Sequence, residues 1–367
     1  MKFFPTRQLL RIAIPAVSTT IAFLKGLKQQ RIYTFSLMFT VGLSLTLAVF
    51  ACSPTTSNSG TTQTTQTTQT TQTTQTPRTA IVRIGYQKAS TILYALKAKG
   101  NLEKAFAASG ASVTWSEFPA GPPMLEALNA GSIDFGYTGE SPPIFAQAGG
   151  IPLVYVAYDP WGPKAEAILV PKDSPVKNVA ELKNKRVAFA KGSNANYLLV
   201  KALEKAGLKY SDIQPKSLPP ADARAAFEGK NVEAWAIWDP YLAAAQAATG
   251  ARALTDGTGL AFNRGYYLAA KSFADTKPDA LKTVLDKVKK TSDWAKSNST
   301  DVAKLLSPVL GIDATVLETA EKRREYDVLP LTAEVISKQQ EVADTFFRIK
   351  LIPKQIKVQE IVWQGNK

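Results

Sequence analysis

The chain predicts an α/β protein of two similar lobes, each a mostly parallel sheet flanked by helices. From Ile81 onward short β-rich runs alternate with helical ones, and the alternation restarts after AEAILVPKD, Ala165 to Asp173. The two halves also match without a gap at an offset of 99 residues: ALNAGSIDFGYTGESPPIFAQAG from Ala127 lies over AFEGKNVEAWAIWDPYLAAAQAA from Ala226. Asp134 then falls on Glu233, Glu140 on Asp239, and the Ala-Gln-Ala at 146–148 on that at 245–247.

Taken in order, IVRIGY reads as a strand, Thr91 to Ala108 as a helix, ASVTWSEF as a strand and Pro123 to Ala130 as a helix. SIDFGYT and IPLVYVAY are the next strands. The second half supplies the strand KRVAFAKG, helices over Asn196–Ala206 and Ala221–Glu228, and the strand VEAWAIW. Strand alternation turns Trp235 away from its neighbours and towards a core. In the last hundred residues DALKTVLDKVKKTSDWAK and TAEVISKQQEVADTFFRI are amphipathic helices whose apolar stripes serve packing.

Ligands of open α/β sheets bind beyond the carboxyl ends of the strands. The strand-to-helix junctions there are GYQKAS, PAGPPM, YTGESPP and FAKGSNAN, with IWDPY as the second-half counterpart. Their Gly, Pro, Ser and Asn residues suit helix starts, where unpaired N–H groups and the positive end of the dipole attract anions. Asp222 and Arg224, at the start of a helix, read as a solvated or interlobe salt bridge rather than a ligand contact.

Composition narrows the chemistry. With one cysteine and no histidine in 367 residues, an intramolecular disulfide, a Cys or His zinc site and an imidazole base are all excluded. The sequence shows no P-loop, no nucleophile with a base and no metal cluster, so neither a catalytic residue, a metal nor a cofactor is expected. Thr34 to Ala51 is uncharged and follows Lys25, Lys28 and Arg31, the pattern of an export signal. Two outcomes stay open: a transmembrane anchor, or a bacterial lipoprotein signal in which VFAC resembles the lipobox and Cys52 receives lipid. Five TTQ repeats over Thr61–Gln75 read as a disordered spacer. Removing the signal segment takes away six basic residues and leaves +8 of the net +14 charge, spread over a solvated surface, with no nucleic-acid partner expected.

GYQK, EFPAGPPMLEALNAGSIDFGYTGE, PPIFAQAGG, LVYVAYD, PKAEAILVPKDSP, VAFAKGS, PADARAAFEGKNVEAWAIWDPY and LIPKQIKVQEIVWQ, in this order from Ile81 to Gln364, resemble the aliphatic sulfonate-binding proteins of ABC importers. The resemblance implies a type II periplasmic binding protein, with two lobes joined by crossover strands near Ala165–Val170 and Gly265–Ala270. The implied segments are a signal over 1–51, lipidated Cys52 and spacer over 52–80, first lobe over 81–168, second lobe over 169–266, and a return to the first lobe over 267–367. It further implies a monomeric, extracytoplasmic, lipid-anchored receptor that hands a sulfonate to a membrane permease, or, on the same fold, one that binds taurine, nitrate or another small anion. A secreted two-lobed enzyme is the alternative of another class.

By the same resemblance Gln87, Gly121, Gly139 and Ser193 hydrogen-bond the sulfonate, with Asn194 beside them. Trp161, Trp235, Trp238 and Tyr241 are the candidate walls of an alkyl channel. Glu140 and Asp239 face two readings: helix capping, or a place in the cleft where they receive a polar group of the ligand or reject dianions.

Overall fold

The computed structural model describes residues 80–160 and 162–365. The signal segment, Cys52, Trp161 and all of the spacer except Ala80 lie outside them. Among the described residues ten strands form two five-stranded sheets. The first is ordered β2 (Ser112–Phe118), β1 (Ile81–Gln87), β3 (Phe135–Gly139), β10 (Gly265–Ala270), β4 (Leu153–Asp159); the second is ordered β7 (Gln214–Ser217), β6 (Arg186–Phe189), β8 (Ala234–Trp238), β5 (Glu166–Val170), β9 (Arg252–Asp256). In each sheet four strands share a direction, and β10 or β5 runs against its two neighbours. Those two strands occupy equivalent places, so each half of the chain gives the other sheet its antiparallel member.

The helices follow local chemistry. The expected helix over Thr91–Ala108 is two, α1 (Thr91–Lys99) and α2 (Asn101–Ala107), because Gly100 adopts a left-handed φ of 61° that ends the first. Helix α3 (Gly121–Asn129), α4 (Ser141–Ala148) and α6 (Pro220–Glu228) carry proline in the first turn, where the missing N–H costs nothing. Between them comes α5 (Asn194–Lys205), capped by Ser193, whose hydroxyl accepts the Asn196 N–H. Then follow α7 (Tyr241–Thr249), α8 (Lys271–Thr276), α9 (Pro278–Lys296), α10 (Ser299–Leu310), α11 (Ala314–Glu321) and α12 (Ala333–Arg348). Of the C-terminal helices, α9 and α10 pack on α1 and α12 packs on α4, whereas α11 packs on α7 of the other lobe.

Strand alternation divides the second lobe's interior. Ala234 and Ala236 face the large core shared with α5, while Trp235 and Ile237 face a smaller core with Phe227 of α6 and Leu242 of α7. Trp235 is fully buried, with its ring 5.8 Å from that of Phe227.

The internal match has a structural counterpart. Asp134 accepts the backbone N–H of Arg83 at 2.9 Å and its guanidinium at 2.5 and 3.0 Å. Glu233 does the same for Arg186, at 2.7 Å from the backbone and 2.6 Å from the guanidinium. Each carboxylate ties the start of the strand that follows it in space to the strand carrying the arginine.

Because Trp235 fills the smaller core, Trp235→Ala is expected to destabilise the protein by about 3 to 5 kcal/mol in chemical denaturation. Trp238→Ala, on the half-buried wall described next, is expected to cost well under half of that.

Candidate functional site

The carboxyl ends of β1, β3, β4 and β8 and the loops after β2 and β6 converge on one cleft between the sheets. It encloses about 670 Å³ of space free of protein atoms, part of it open to solvent. Six of the residues singled out from the sequence line it: Gln87, Gly121, Gly139, Ser193, Asn194 and Trp238.

Four helix N-termini contribute to the lining. Ser90 precedes α1, Gly121 opens α3, Pro142 lies in the first turn of α4, and Ser193 with Asn194 starts α5. The first N–H groups of a helix have no acceptor within it, so such ends gather partial positive charge. At α3 the donors are pared down: Pro122 and Pro123 have no N–H, which leaves that of Gly121 as the foremost donor.

Side chains hold the ends together. Gln87 Nε2 donates to the Tyr137 carbonyl at 2.9 Å, and the Gln87 N–H donates to Ser90 Oγ at 3.2 Å. Ser193 Oγ donates to the Ala190 carbonyl at 2.6 Å while accepting the Asn196 N–H at 3.3 Å, so its hydroxyl proton is committed to the helix cap. Asn194 joins the lobes: its Oδ1 accepts the Ser141 N–H at 3.1 Å, and its Nδ2 donates to Asn263 Oδ1 at 2.7 Å. Gly139 must be glycine for this, because a β-carbon there would collide with the Asn194 carboxamide.

Glu140 and Asp239 correct the expectation that they face the cleft, for neither is part of its lining. Glu140 stands at the N-cap of α4 without capping it; instead its Oε2 accepts the Arg264 N–H at 3.3 Å, and Oε1 is buried without a partner. Burial pushes its pKa up to about 7 against the pull of the Arg264 and Asn263 N–H groups and the Arg264 charge. Asp239 is fully buried, accepts the Ala243 N–H of α7 at 3.0 Å, and pairs with Arg323 at 3.2 Å. Its helix-start reading holds, and burial raises its pKa despite Arg323 and Arg324. Trp235 lies in the core, whereas Tyr241 meets Trp238 edge to face at 6.2 Å.

Sequence reasoning missed the cations. Arg264 is 9 % exposed on the lining, stacked over the rings of Phe262 at 4.7 Å and Tyr158 at 5.8 Å, with Nε and Nη1 buried and unpartnered. Arg324 donates to the carbonyls of Ala89 at 3.0 Å and Asp239 at 2.7 Å, and its Nε is likewise unpartnered. Asp159 also lines the cleft, accepting the Tyr137 hydroxyl at 2.8 Å and the Asp327 N–H at 3.1 Å, its pKa pushed up to about 7 by burial. The one available hint is Arg264 directly before the second expected crossover; nothing local in EKRREYD points its arginines to the cleft.

This arrangement can hold an anion: donors and two arginines converge, Asp159 is buried and already hydrogen-bonded, and the other lining carboxylate, Glu325, is exposed to solvent. Among the described residues no group of three or more His, Cys, Asp or Glu could hold a metal, and no helix is long and apolar enough to cross a membrane.

Comparison with known proteins agrees with the geometry. The model of the NMT1-like family matches residues 75–307. The crystal structure of the periplasmic aliphatic sulphonate binding protein SsuA from Escherichia coli is similar, with 46% identity and a TM-score of 0.72 over 78% of this chain and 93% of that one. The alkanesulfonate-binding protein SsuA from Xanthomonas axonopodis pv. citri, bound to MOPS, is similar at 44% identity and a TM-score of 0.75, over 77% of this chain and 98% of that one. On the match of the family model and these near-complete alignments, the chain belongs to the NMT1-like family and, within it, to the aliphatic sulfonate-binding proteins.

Proposed function

We propose that the protein captures an aliphatic sulfonate in this cleft and delivers it to the membrane permease of an ABC importer, as a monomer held outside the cytoplasm by lipid on Cys52. The observation that carries the proposal is Arg264: a guanidinium on the cleft wall, 9 % exposed, with two donors that no protein group accepts. An unpaired buried cation is costly, and a permanent monoanion with three acceptor oxygens meets its need.

In this reading the sulfonate oxygens take the Gly121 N–H, the free N–H groups at the start of α5, Gln87 and Arg264, while Trp238 and Pro142 flank the alkyl chain. Ser193 supports the site by capping α5, and Gly139 by letting Asn194 close on Ser141. Among the described lining residues Tyr137 and Asp159 are hydrogen-bonded to each other and Ser90 Oγ accepts the Gln87 N–H, with no histidine in the chain to serve as a base, which favours a receptor over an enzyme. One observation favours an aminosulfonate such as taurine as a second reading: Glu325, exposed on the lining, offers a counter-charge to an ammonium.

The direct test is thermal stability of the full chain with ethanesulfonate, longer alkanesulfonates, taurine, sulfate and nitrate. A ligand at about 100 times its Kd adds about 2.7 kcal/mol, and the proposal expects this from alkanesulfonates and not from sulfate. A shift with nitrate or sulfate alone defeats it.

Arg264→Gln is expected to weaken sulfonate binding by about ten- to a hundredfold in calorimetry, as loss of a hydrogen bond to a charged group does. Ser193→Ala, by contrast, is expected to lower stability by about 1 kcal/mol, as loss of a cap does, with affinity changing less than in Arg264→Gln.

Proton linkage gives a further expectation. Glu140 and Asp159 have folded pKa values near 7, above those of the unfolded chain, so the folded state binds more protons between about pH 4 and 7. Their contribution is fully present below about pH 4 and is lost progressively as pH rises to about 7. The melting temperature of the unliganded protein should therefore fall from pH 5 to pH 8; a rise over that range would contradict these assignments.

A further inference from the structure

Outside the two strand crossings, the chain spans the lobes once more. The segment from Glu321 to Leu329 is moored to the first lobe: Thr91 Oγ1 donates to Glu321 at 3.1 Å, the Asp327 N–H donates to Asp159 at 3.1 Å, and Leu329 exchanges backbone bonds with Tyr158 at 2.9 and 3.0 Å. Two consecutive side chains reach the second lobe from it. Arg323 Nη1 donates to both carboxylate oxygens of Asp239 at 3.2 Å, and Nη2 donates to Gln246 Oε1 at 2.9 Å. Arg324 bridges the lobes with one guanidinium, taking the Ala89 carbonyl on one side and the Asp239 carbonyl on the other, and both Arg324 and Glu325 line the cleft.

The asymmetry of these attachments is informative. Backbone bonds and the buried Glu321 carboxylate hold the segment to the first lobe; on the second lobe, beyond the packing of the preceding α11 on α7, every hydrogen bond from it among the described residues is made by Arg323 or Arg324. Such contacts release as a unit when the lobes part, and Asp239, fully buried with the lobes together, then regains water in place of its arginine. We infer that residues 321–329 form a strap across the mouth of the cleft, and that Arg323 and Arg324 act as positioning residues which latch the lobes and set how long a ligand is held. That Arg324 also lines the cleft and keeps an unpartnered Nε gives a bound anion a route to strengthen the latch. This last point rests on the proposed sulfonate site; the latch itself does not.

The test has two arms on the same variants. In the unliganded protein, spin labels on Lys104→Cys and Lys216→Cys, with Cys52→Ala, report the distance between the lobes. Arg323→Ala is expected to shift that distribution to longer distances, and Gln246→Ala, which removes one half-buried acceptor, to shift it less. In stopped-flow fluorescence with MOPS as the probe, Arg323→Ala is expected to raise the dissociation rate about tenfold and Gln246→Ala about threefold, with association little changed, as for lost charged and neutral hydrogen bonds. If Arg323→Ala fails to fold, Gln246→Ala and Arg323→Lys carry the test. An unshifted distance distribution overturns the strap. Shifted distances without MOPS binding to the parent protein would keep the strap and defeat the sulfonate reading.

Discussion

The contact on which the rest depends is the meeting of Gly139 and Asn194. A side chain at 139 would stand where the Asn194 carboxamide lies, so the lobes can approach only because that β-carbon is absent. Once they approach, Asn194 accepts the Ser141 N–H that α4 cannot satisfy internally, donates to Asn263, and Asn263 donates on to the Gly162 carbonyl at 2.9 Å. One carboxamide, on the first residue of α5 in the second lobe, therefore completes a helix end on the first lobe and fixes the loop before the second crossing. The four helix ends share a cleft because this chain of amides holds them at one distance.

Within each lobe the positions of those ends are inherited from the sheets. The carboxylates of Asp134 and Glu233 clip the backbone and the guanidinium of Arg83 and Arg186, setting the register at the starts of the central strands. A strand fixed at its start delivers its far end, and the helix that follows, to a defined height. The two clips differ by one methylene, yet make the same bonds, which is why a match of short chemistry was visible in sequence between halves of otherwise different composition.

Much of the fold was legible because its signals are local. Strand alternation sent Trp235 inward and left Trp238 on the cleft, three residues on. The junction residues on the lining were readable for the same reason: Gly, Pro, Ser and Asn announce helix starts, and helix starts at strand ends face the ligand side. Gly100 was not weighted enough, and one expected helix became two. What could not be read is what depends on distance along the chain. Arg324 meets Ala89 across 235 residues, and nothing near either residue advertises the other. Glu140 and Asp239 look alike in the alignment but diverge in space, one bonded to the backbone at Arg264 and the other to Arg323, because each lobe meets a different part of the C-terminal chain.

These long-range charges revise the physical picture of the cleft. Neutral donors alone would suffice for a monoanion, and they were the expectation. Instead, a buried Arg264 and a half-buried Arg324 are present, and buried carboxylates at Glu140, Asp159 and Asp239 stand behind or beside them. Isolated, either set would be too costly to bury; together they leave the empty cleft with little net charge while keeping unused donors on Arg264 and Arg324. Such a site attracts an anion through directed hydrogen bonds more than through bulk field. In the proposed function that balance would also permit release: on parting of the lobes, water would replace the ligand at the donors and the carboxylates at the arginines, so neither ion set would have to be abandoned in an apolar interior.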